Sequence, residues 1–378
     1  MGAAAAAAAQ NNVANPPAAA ANNVDNLPAA AAYVEVGRVV DNVTTMNNGD
    51  REENWPRGRG GAMGNSGSTA PAPLGKTHVP DLEWKVHDFS ALVETKAISA
   101  LSPPFHCSGY KWFLQVNPKH KQDDKGNQYV ALSLGISPVC LELGHTVHAE
   151  FELSIFKHSK GMYCGSKANY NFDVKNTYSN KECLIPLEEL LKSSTFLVDD
   201  SCVFGAKILK IDVSSPEKKV VVVQKKATTV QNLFVQKKGF IKGTYTWTMD
   251  NFLELDSQRP VRSPTFEVGG QKWYIGMHPR GNRSSTDCLT LGLYLDSSDE
   301  LFIESRKVVQ ISLSILDQKN GKYFTKTTGL LVYTCPEGWV LSNFLPLKEL
   351  NDMSRGYLIE SKCVLKADLT IFGSSIDG

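Results

Sequence analysis

The chain has 378 residues, of which 42% are apolar and 21% charged, and its 40 basic and 39 acidic residues leave a net charge of +1. That balance argues against a protein organised around bulk attraction to nucleic acid or membranes. The sequence contains no apolar stretch of about 18 residues, so no membrane span is predicted. The eight cysteines show no paired metal-ligand spacing, and we expect free thiols, no metal and no cofactor.

The first segment, residues 1–76, is rich in alanine, asparagine, proline and glycine and has few large apolar residues. Such a composition cannot offset the entropy lost on folding, so a disordered segment is predicted. The segment contains one Arg-Gly cluster, Arg57–Gly61, which is a short form of an RNA-binding motif. A single copy is a weak signal, and a solvated linker is the favoured interpretation.

The rest of the chain contains an internal repeat, with a spacing of roughly 160 residues between matching motifs. Each copy is large enough to bury its own core. The repeat therefore predicts two domains, 77–213 and 240–378, joined by a lysine-rich linker, 214–239. The matching pairs are Trp84–Phe89 with Trp247–Phe252, Ser102–Phe105 with Ser263–Phe266, Trp112–Pro118 with Trp273–Pro279, Leu184–Leu190 with Phe344–Leu350, and Phe196–Val203 with Tyr357–Val364.

Both copies have the pattern of β-structure. Apolar residues alternate with polar or small ones in Val130–Leu134, Phe151–Ile155, Leu289–Leu295 and Ile311–Ile315, and this period of two is typical of strands with one buried face. Each copy has one short helical candidate, which begins at a proline. Many short strands with almost no helix predict an antiparallel β-sandwich in each copy.

These ordered motifs resemble the MATH domain, also called the TRAF-like domain, over essentially all of residues 80–375, twice. The arrangement is similar to plant-type tandem MATH proteins without a BTB, RING or protease module. The resemblance implies an all-β chain with two tandem antiparallel β-sandwiches of seven to eight strands each, which bind extended peptide segments of partner proteins. It further implies a substrate or scaffold adaptor in ubiquitin-linked turnover or signalling, with ubiquitin-ligase components and proteins carrying short linear motifs as partners.

The resemblance also implies the position of a peptide groove. Ubiquitin-ligase adaptors with MATH domains use a Trp-Gly-Phe sequence, which falls here at Trp339-Val340-Leu341. Because the first copy has Ser179 in place of Trp339, the shared core does not require a tryptophan, and we expect Trp339 on a binding surface. The other groove positions are Gly292, Ile311, Leu331 and Glu337 in the second copy and Phe151, Ser133 and Lys181 in the first. Most of them lack the adaptors' aromatic residues, so a different motif specificity is expected.

The sequence contains no motif of a known catalytic site, so a non-catalytic protein is predicted. Cys202 and Cys363 occupy matching positions and are interpreted as small buried residues. His145 and His148 are three residues apart in a predicted strand, which places them on opposite faces and disfavours joint metal binding. The tryptophans that recur in both copies are expected in the two cores, namely Trp84, Trp112, Trp247 and Trp273.

A nucleic-acid-associated protein is the alternative interpretation. It would use Arg57–Gly61 together with the linker lysines to bind phosphates, and its binding would depend strongly on salt. The near-zero net charge counts against it, so proteins rather than nucleic acids are the expected partners. We expect no membrane contact and a cytoplasmic or nuclear location. The lysines concerned are Lys218, Lys219, Lys225, Lys226, Lys237 and Lys238.

Overall fold

The computed structural model describes residues 34–35, 71–95, 97–121, 126–214, 219–221, 227–256, 259–281, 287–296, 306–333 and 338–377. All of them belong to one compact unit, Ala32–Gly378. The disorder predicted for residues 1–76 falls almost entirely outside the described residues. Within that range the structure describes the short strand β1 (Val34–Glu35) and residues 71–76.

The first domain is a sandwich of antiparallel strands with two short helices, α1 (Phe89–Glu94) and α2 (Leu187–Lys192). Two 3-10 turns, Pro138–Cys140 and His158–Lys160, connect neighbouring strands. The strands are β2 (Leu82–His87), β3 (Ala100–Leu101), β4 (Phe105–Cys107), β5 (Tyr110–Lys121), β6 (Gln128–Ile136), β7 (Thr146–Lys157), β8 (Met162–Phe172), β9 (Glu182–Pro186) and β10 (Cys202–Ser214).

The second domain repeats this plan, and its helix α3 (Leu347–Leu350) takes the place of α2. Its 3-10 turns are Phe252–Glu254 and Met353–Arg355. No helix in the described part of the chain is long and apolar enough to cross a membrane. The strands are β13 (Ile241–Met249), β14 (Val261–Arg262), β15 (Phe266–Val268), β16 (Gln271–His278), β17 (Cys288–Leu295), β18 (Arg306–Asp317), β19 (Lys322–Thr327), β20 (Leu330–Tyr333), β21 (Trp339–Pro346) and β22 (Cys363–Asp377).

The recurring tryptophans lie in the two cores, as the repeat predicts. Trp112 and Trp273 are both fully buried. In each domain the indole Nε1 donates to a backbone carbonyl five residues earlier, Cys107 O or Val268 O, over 3.1 Å. The two copies therefore share their hydrogen bonds as well as their sequence pattern, which confirms the tandem β-sandwich architecture.

The connecting segment is part of the sheets. It contains β11 (Lys219–Val221), which pairs with β10, and β12 (Thr229–Val235). Strand β12 runs parallel to β2 of the first domain and antiparallel to β22 of the second. It thereby hydrogen-bonds the two domains to each other.

A second strand pair joins the domains, because β3 of the first domain pairs in parallel with β20 of the second. Through β12 and this pair, sixteen of the described strands form one continuous hydrogen-bonded sheet. The remaining sheet has the strand order β1-β21-β17-β16-β14, with β15 also paired to β16. The segment 214–239, predicted as a linker, thus contributes strands to the sheet that joins the two domains.

The first domain also extends further toward the N-terminus than residue 77. Leu74 N–H donates to Tyr163 O over 3.0 Å, and Gly165 N–H donates to Ala72 O over 2.8 Å. These bonds add residues 72–74 to the edge of β8, so the hydrogen-bonded body begins near residue 72.

Candidate functional site

Four strands of the second domain carry the predicted groove residues. Ile311 is 0% exposed and Leu331 7% exposed, so both pack in the interior. Glu337 lies outside the described residues. The described positions are Gly292 on β17, Ile311 on β18, Leu331 on β20, and Trp339 and Leu341 on β21.

Trp339 lies in the core of the second domain. Its cross-strand partner on β17 is Leu293, which is fully buried, so both side chains point to the inner face of the sheet. Trp339 itself is 5% exposed and belongs to the same buried cluster as Trp273. Leu341 packs against that cluster and is half-buried. The structure therefore does not show the surface position that the comparison of the two copies predicts for Trp339.

The serine that replaces this tryptophan in the first domain completes the strand ladder in a different way. Ser179 N–H donates to Leu134 O over 2.8 Å, and Leu134 N–H donates to Ser179 Oγ over 3.0 Å. In the second domain, Trp339 N–H donates to Tyr333 Oη over 3.3 Å, and that hydroxyl donates to Leu293 O. Trp339 and Ser179 therefore occupy equivalent backbone positions. In the second domain the Tyr333 hydroxyl makes the hydrogen bond to the carbonyl of the neighbouring strand that the Ser179 N–H makes itself in the first, and sequence comparison cannot show this.

The outer face of the sheet formed by β16, β17 and β21 carries an aromatic pair that sequence reasoning missed. Tyr274 and Tyr294 are cross-strand neighbours, and their rings stack 5.1 Å apart at an angle of 14°. The Tyr294 ring lies over glycines of both strands: a methyl group added at Gly276 would come within 2.5 Å of it, and one added at Gly292 within 2.8 Å. The available signal was the Gly-x-aromatic alternation, which puts a glycine and an aromatic ring on one face of a strand.

A cation extends this aromatic pair. The guanidinium of Arg262 lies 3.7 Å from the centroid of the Tyr274 ring and forms a 2.9 Å ion pair with Asp296. On the same strand as Tyr274, His278 is half-buried, and burial lowers the pKa of its imidazole below the usual value of 6.5. The imidazole is therefore neutral at neutral pH. The resulting face combines the half-buried Tyr274 ring and a paired arginine with the buried ring of Tyr294.

The outer edge of β21 is where an additional strand can pair. Because Trp339 N–H points toward β17, the alternation of an antiparallel ladder turns the N–H and C=O of Val340 toward the opposite edge. Beyond Val340, the C=O of Asn343 accepts a hydrogen bond from Lys326 Nζ, which blocks that part of the edge. At Trp339 and Val340, the part of the edge without this side-chain contact, β1 pairs in parallel with β21, with Glu35 opposite Val340.

The corresponding outer face of the first domain is buried against the second domain. Ser133 is 1% exposed and donates to Gln115 Oε1 over 3.0 Å. Gln115 in turn donates to Ser99 Oγ over 3.2 Å. Two neighbours, Leu101 and Phe113, belong to the hydrophobic cluster of the second domain. Ser133 is therefore inaccessible to a partner protein in this arrangement.

The other two predicted residues of the first domain lie apart from each other. Phe151 is fully buried on β7, where it packs in the core of the first domain. Lys181 is half-buried and immediately precedes β9. The structure thus does not gather the predicted first-domain residues into one accessible groove.

In both domains a tyrosine ring covers a glycine at the equivalent place on the outer face, but the tyrosine and the glycine are on exchanged strands. In the second domain Tyr294 of β17 covers Gly338, where an added methyl group would lie 2.0 Å from the ring. In the first domain the positions are exchanged: Tyr178, just before β9, covers Gly135 of β6, where an added methyl group would lie 2.5 Å from the ring. Tyr178 packs against the hydrophobic cluster of the second domain. The exchanged tyrosine of the first domain therefore lies at the contact between the two domains.

One described lysine of the linker forms an ion pair within the protein. Lys237 forms a 3.1 Å ion pair with Asp200, which raises the pKa of the lysine. Together with Lys238 and Asp88, Lys237 lines a cavity of about 320 Å³ next to β12. The Arg57–Gly61 cluster and Lys218, Lys225 and Lys226 lie outside the described residues, and Lys219 is described only through its backbone in β11.

The cysteines interpreted as core residues are buried. Burial raises the pKa of the Cys363 thiol to about 12 and raises that of Cys202 as well, so neither is a thiolate at neutral pH. His145 pairs with Glu142 at 2.9 Å and His148 with Asn171 at 2.7 Å. Within the described ranges, no group of three or more His, Cys, Asp or Glu side chains could hold a metal ion.

One set of side chains has the residue types of a catalytic triad, but its contacts are structural. Ser201 Oγ lies 3.3 Å from His87 Nδ1, and His87 Nε2 lies 3.1 Å from Asn232 Oδ1. The His87 ring also stacks on Phe234 at 4.3 Å. Ser201 is 7% exposed, and His87 and Asn232 belong to the paired strands β2 and β12. This set therefore fastens the connecting strand to the first domain.

Comparison with known proteins identifies the class of fold. The sequence profile of the MATH domain matches residues 81–208 and 244–369. These matches cover more than half of the chain and fall within the two sandwiches, so the chain belongs to the MATH domain family. MATH domains are protein-interaction modules that occur in TRAF proteins and in proteins of the ubiquitin pathway.

Several Arabidopsis thaliana proteins are similar in sequence. Ubiquitin C-terminal hydrolase 12 is 30% identical over 187 residues, which is 49% of this chain and 15% of that protein. A MATH domain and coiled-coil domain-containing protein is 31% identical over 123 residues, 30% of this chain and 41% of that protein. TNF receptor-associated factor homolog 1b is 29% identical over 150 residues, 37% of this chain and 13% of that protein. The chain thus spans less than half the length of these relatives, and the hydrolase matches only over its MATH portion.

Among solved structures, TRAF5 of Notothenia coriiceps is 21% identical and covers 34% of this chain and 72% of that chain, with a TM-score of 0.25. That superposition adds nothing to the sequence match.

Proposed function

We propose that this chain is a non-catalytic protein-interaction protein that binds one extended segment of a partner protein at the outer edge of β21. The observation that carries the proposal is the parallel pairing of an extended segment with Trp339 and Val340. An edge strand with outward-facing N–H and C=O groups gives main-chain hydrogen bonds to an extended ligand, and neighbouring side chains give selectivity.

The residues beside this edge suit such a ligand. The outer face next to β21 carries the Tyr274–Tyr294 stack and Arg262, and aromatic side chains with arginine are enriched where proteins bind proteins. Alternate side chains of a bound segment would point toward this face, because successive residues of a strand point to opposite sides. The predicted groove residues Trp339 and Leu341 support the strand from the inner side.

The proposed binding stoichiometry is one segment per chain. Two MATH domains would offer two sites if both outer faces were open. However, the first-domain face around Ser133 is occupied by contacts with the second domain. The second domain therefore binds, and the first domain supports it through β12 and the β3–β20 pair.

We further propose a cytoplasmic or nuclear adaptor role in ubiquitin-linked turnover or signalling. The support is the sequence similarity to two ubiquitin C-terminal hydrolases and to a TNF receptor-associated factor homolog of Arabidopsis thaliana. Partner proteins with short linear motifs, and components of ubiquitin ligases, are the interactors that this role requires.

Proline substitution at the edge tests the proposal. Peptides selected from a random phage-display library on the full chain would be measured by fluorescence polarisation against Val340→Pro and against Asn180→Pro, its counterpart in the first domain. Because the Val340 N–H faces outward, a proline there removes a donor to the ligand without removing one from the β17 ladder. We expect at least tenfold weaker binding for Val340→Pro and unchanged binding for Asn180→Pro.

Isothermal titration of the same peptides gives the stoichiometry, with one site per chain expected. Thermal unfolding confirms that each variant is folded before binding is compared. Equal affinity of Val340→Pro and the unmodified chain would refute the edge as the binding site. Two equivalent sites per chain would refute the single-site proposal.

A further inference from the structure

The strand paired with the proposed binding edge belongs to the chain itself. Val34 lies opposite Trp339 and Glu35 lies opposite Val340 in a parallel ladder. Strand β1 also contacts the 3-10 turn Pro138–Cys140 of the first domain. A segment of the chain itself thus occupies the β21 edge of the second domain and also contacts the first domain.

The sequence around β1 is unusual for the N-terminal segment. Residues 33–36 read Tyr-Val-Glu-Val, a combination of aromatic and β-branched residues that favours strands. Most of the surrounding segment is alanine, asparagine, proline and glycine, which do not. This short stretch, which includes the aromatic Tyr33, therefore has the composition of a strand-forming ligand, and Val39–Thr45 is a second β-branched stretch in the same segment.

The connection between β1 and the first domain is long enough to allow this pairing. Residues 36–70 separate Glu35 from the next described residue, Pro71. A chain of that length reaches up to about 115 Å when extended, whereas a body of this size is about 50 Å across. The number of residues in the connection is thus sufficient for the segment to reach the β21 edge.

We propose that Val34–Glu35 is an internal ligand of the β21 edge, so that a partner segment binds there only by displacing the chain's own strand. This inference rests on the proposed function, since it concerns the same edge. It makes the N-terminal segment a regulator of binding: partners with weak motifs are excluded, and any modification or partner that removes the segment opens the site.

Linkage gives the expected size of the effect. A tethered segment acts at an effective concentration of about 1 mM. If its own dissociation constant at the edge is about 0.1 mM, the edge is self-occupied about 90% of the time, and the apparent affinity of a competing peptide falls about tenfold. A contact of the two described residues is weak enough for a partner with a longer strand to displace it.

The test uses the full chain carrying Val34→Pro together with Glu35→Pro, which removes the strand donors of β1. The matched control carries Val43→Pro together with Thr44→Pro in the same segment. Two readouts are measured: hydrogen exchange of the Val340 amide, and binding of a fluorescein-labelled synthetic peptide with the sequence of residues 30–39. We expect faster exchange at Val340 and about tenfold tighter peptide binding in the β1 variant, with neither change in the control.

The inference is overturned if the β1 variant changes neither the Val340 amide exchange nor the peptide affinity, or if the control variant changes both equally. These outcomes are separate from failure of the proposed function. Phage-selected peptides that bind the unmodified chain and lose affinity in Val340→Pro would uphold the binding edge even when the β1 variant behaves like the unmodified chain.

Discussion

Replacing Trp339 by alanine tests whether this residue supports the second domain from inside or contacts partners at the surface. The structure places the indole at 5% exposure within the second-domain core. The substitution therefore removes a large buried side chain and leaves a cavity between the two sheets. The expected result is a loss of stability, with any change in binding following from that loss.

The magnitude follows from two opposing effects. Truncating a buried tryptophan to alanine costs about 3–5 kcal/mol. The Trp339 Nε1 is buried and has no hydrogen-bond partner among the described residues, and burying an unpaired donor costs about 1–3 kcal/mol. The alanine variant regains part of that cost, so we expect the free energy of unfolding to fall by about 2–4 kcal/mol.

Urea denaturation followed by circular dichroism measures the loss, and hydrogen exchange of the β17 amides locates it in the second domain. Trp339→Phe keeps most of the buried area and removes the unpaired N–H, so it should cost less than about 1.5 kcal/mol. Ser179→Ala is the matched control in the first domain. It removes the hydrogen bond from Leu134 N–H and the one that Ser179 Oγ donates to Asn180 O, and it should cost about 0.5–1.5 kcal/mol.

The reasoning would be refuted if Trp339→Ala left the free energy of unfolding within about 0.5 kcal/mol of the unmodified chain, as surface substitutions do, while abolishing peptide binding. That result would make Trp339 a surface anchor, as the comparison of the two copies predicts. It would also mean that the cross-strand contact with Leu293 does not contribute to the core.

Two further predictions concern the junction of the domains and the buried thiols. A methyl group added at Gly373 would lie 1.9 Å from Phe234 O, so Gly373→Ala should push β12 away from β22. We expect the free energy of unfolding to fall by about 1–3 kcal/mol and amide exchange over Gln231–Val235 to become faster. The control Ser374→Ala should change neither the stability nor the exchange. Because burial raises the pKa of Cys363 from 9.0 to about 12, its contribution to stability is complete below pH 9.0 and is lost as the pH rises toward 12. The stability difference between the unmodified chain and Cys363→Ala, measured by urea denaturation, should therefore shrink between pH 8 and pH 11, and a constant difference would contradict this.

The repeat and the strand pattern predicted the fold because both depend on local features that each copy preserves. Ser102 and Ser263 illustrate this: each hydroxyl accepts a hydrogen bond from the backbone N–H twelve residues later, Leu114 or Ile275. The same side chains at the same spacing make the same contacts. Sequence alone was therefore sufficient for the class of fold and for its tandem duplication.

The candidate site was less predictable because it depends on contacts between distant parts of the chain. The backbone N–H of the buried Trp339 donates to the Tyr333 hydroxyl from another strand, a contact that no local pattern indicates. The burial of Ser133 requires the second domain to pack on the first. The pairing of β12 with strands of both domains likewise joins residues far apart in sequence.

The different fates of the two outer faces can still be traced to the residues on them. Strand β5 is buried on both faces across Trp112–Asn117, whereas β16 alternates buried and half-exposed residues. A strand buried on both faces lies between two layers, and Phe113 supplies the outward apolar ring that the second domain covers. At the matching place in β16, Tyr274 keeps a hydroxyl and the cation Arg262 beside it, which makes full burial costly. Duplication thus produced one sandwich whose outer face favours docking and another whose outer face favours solvent, and that difference places the binding edge on the second domain.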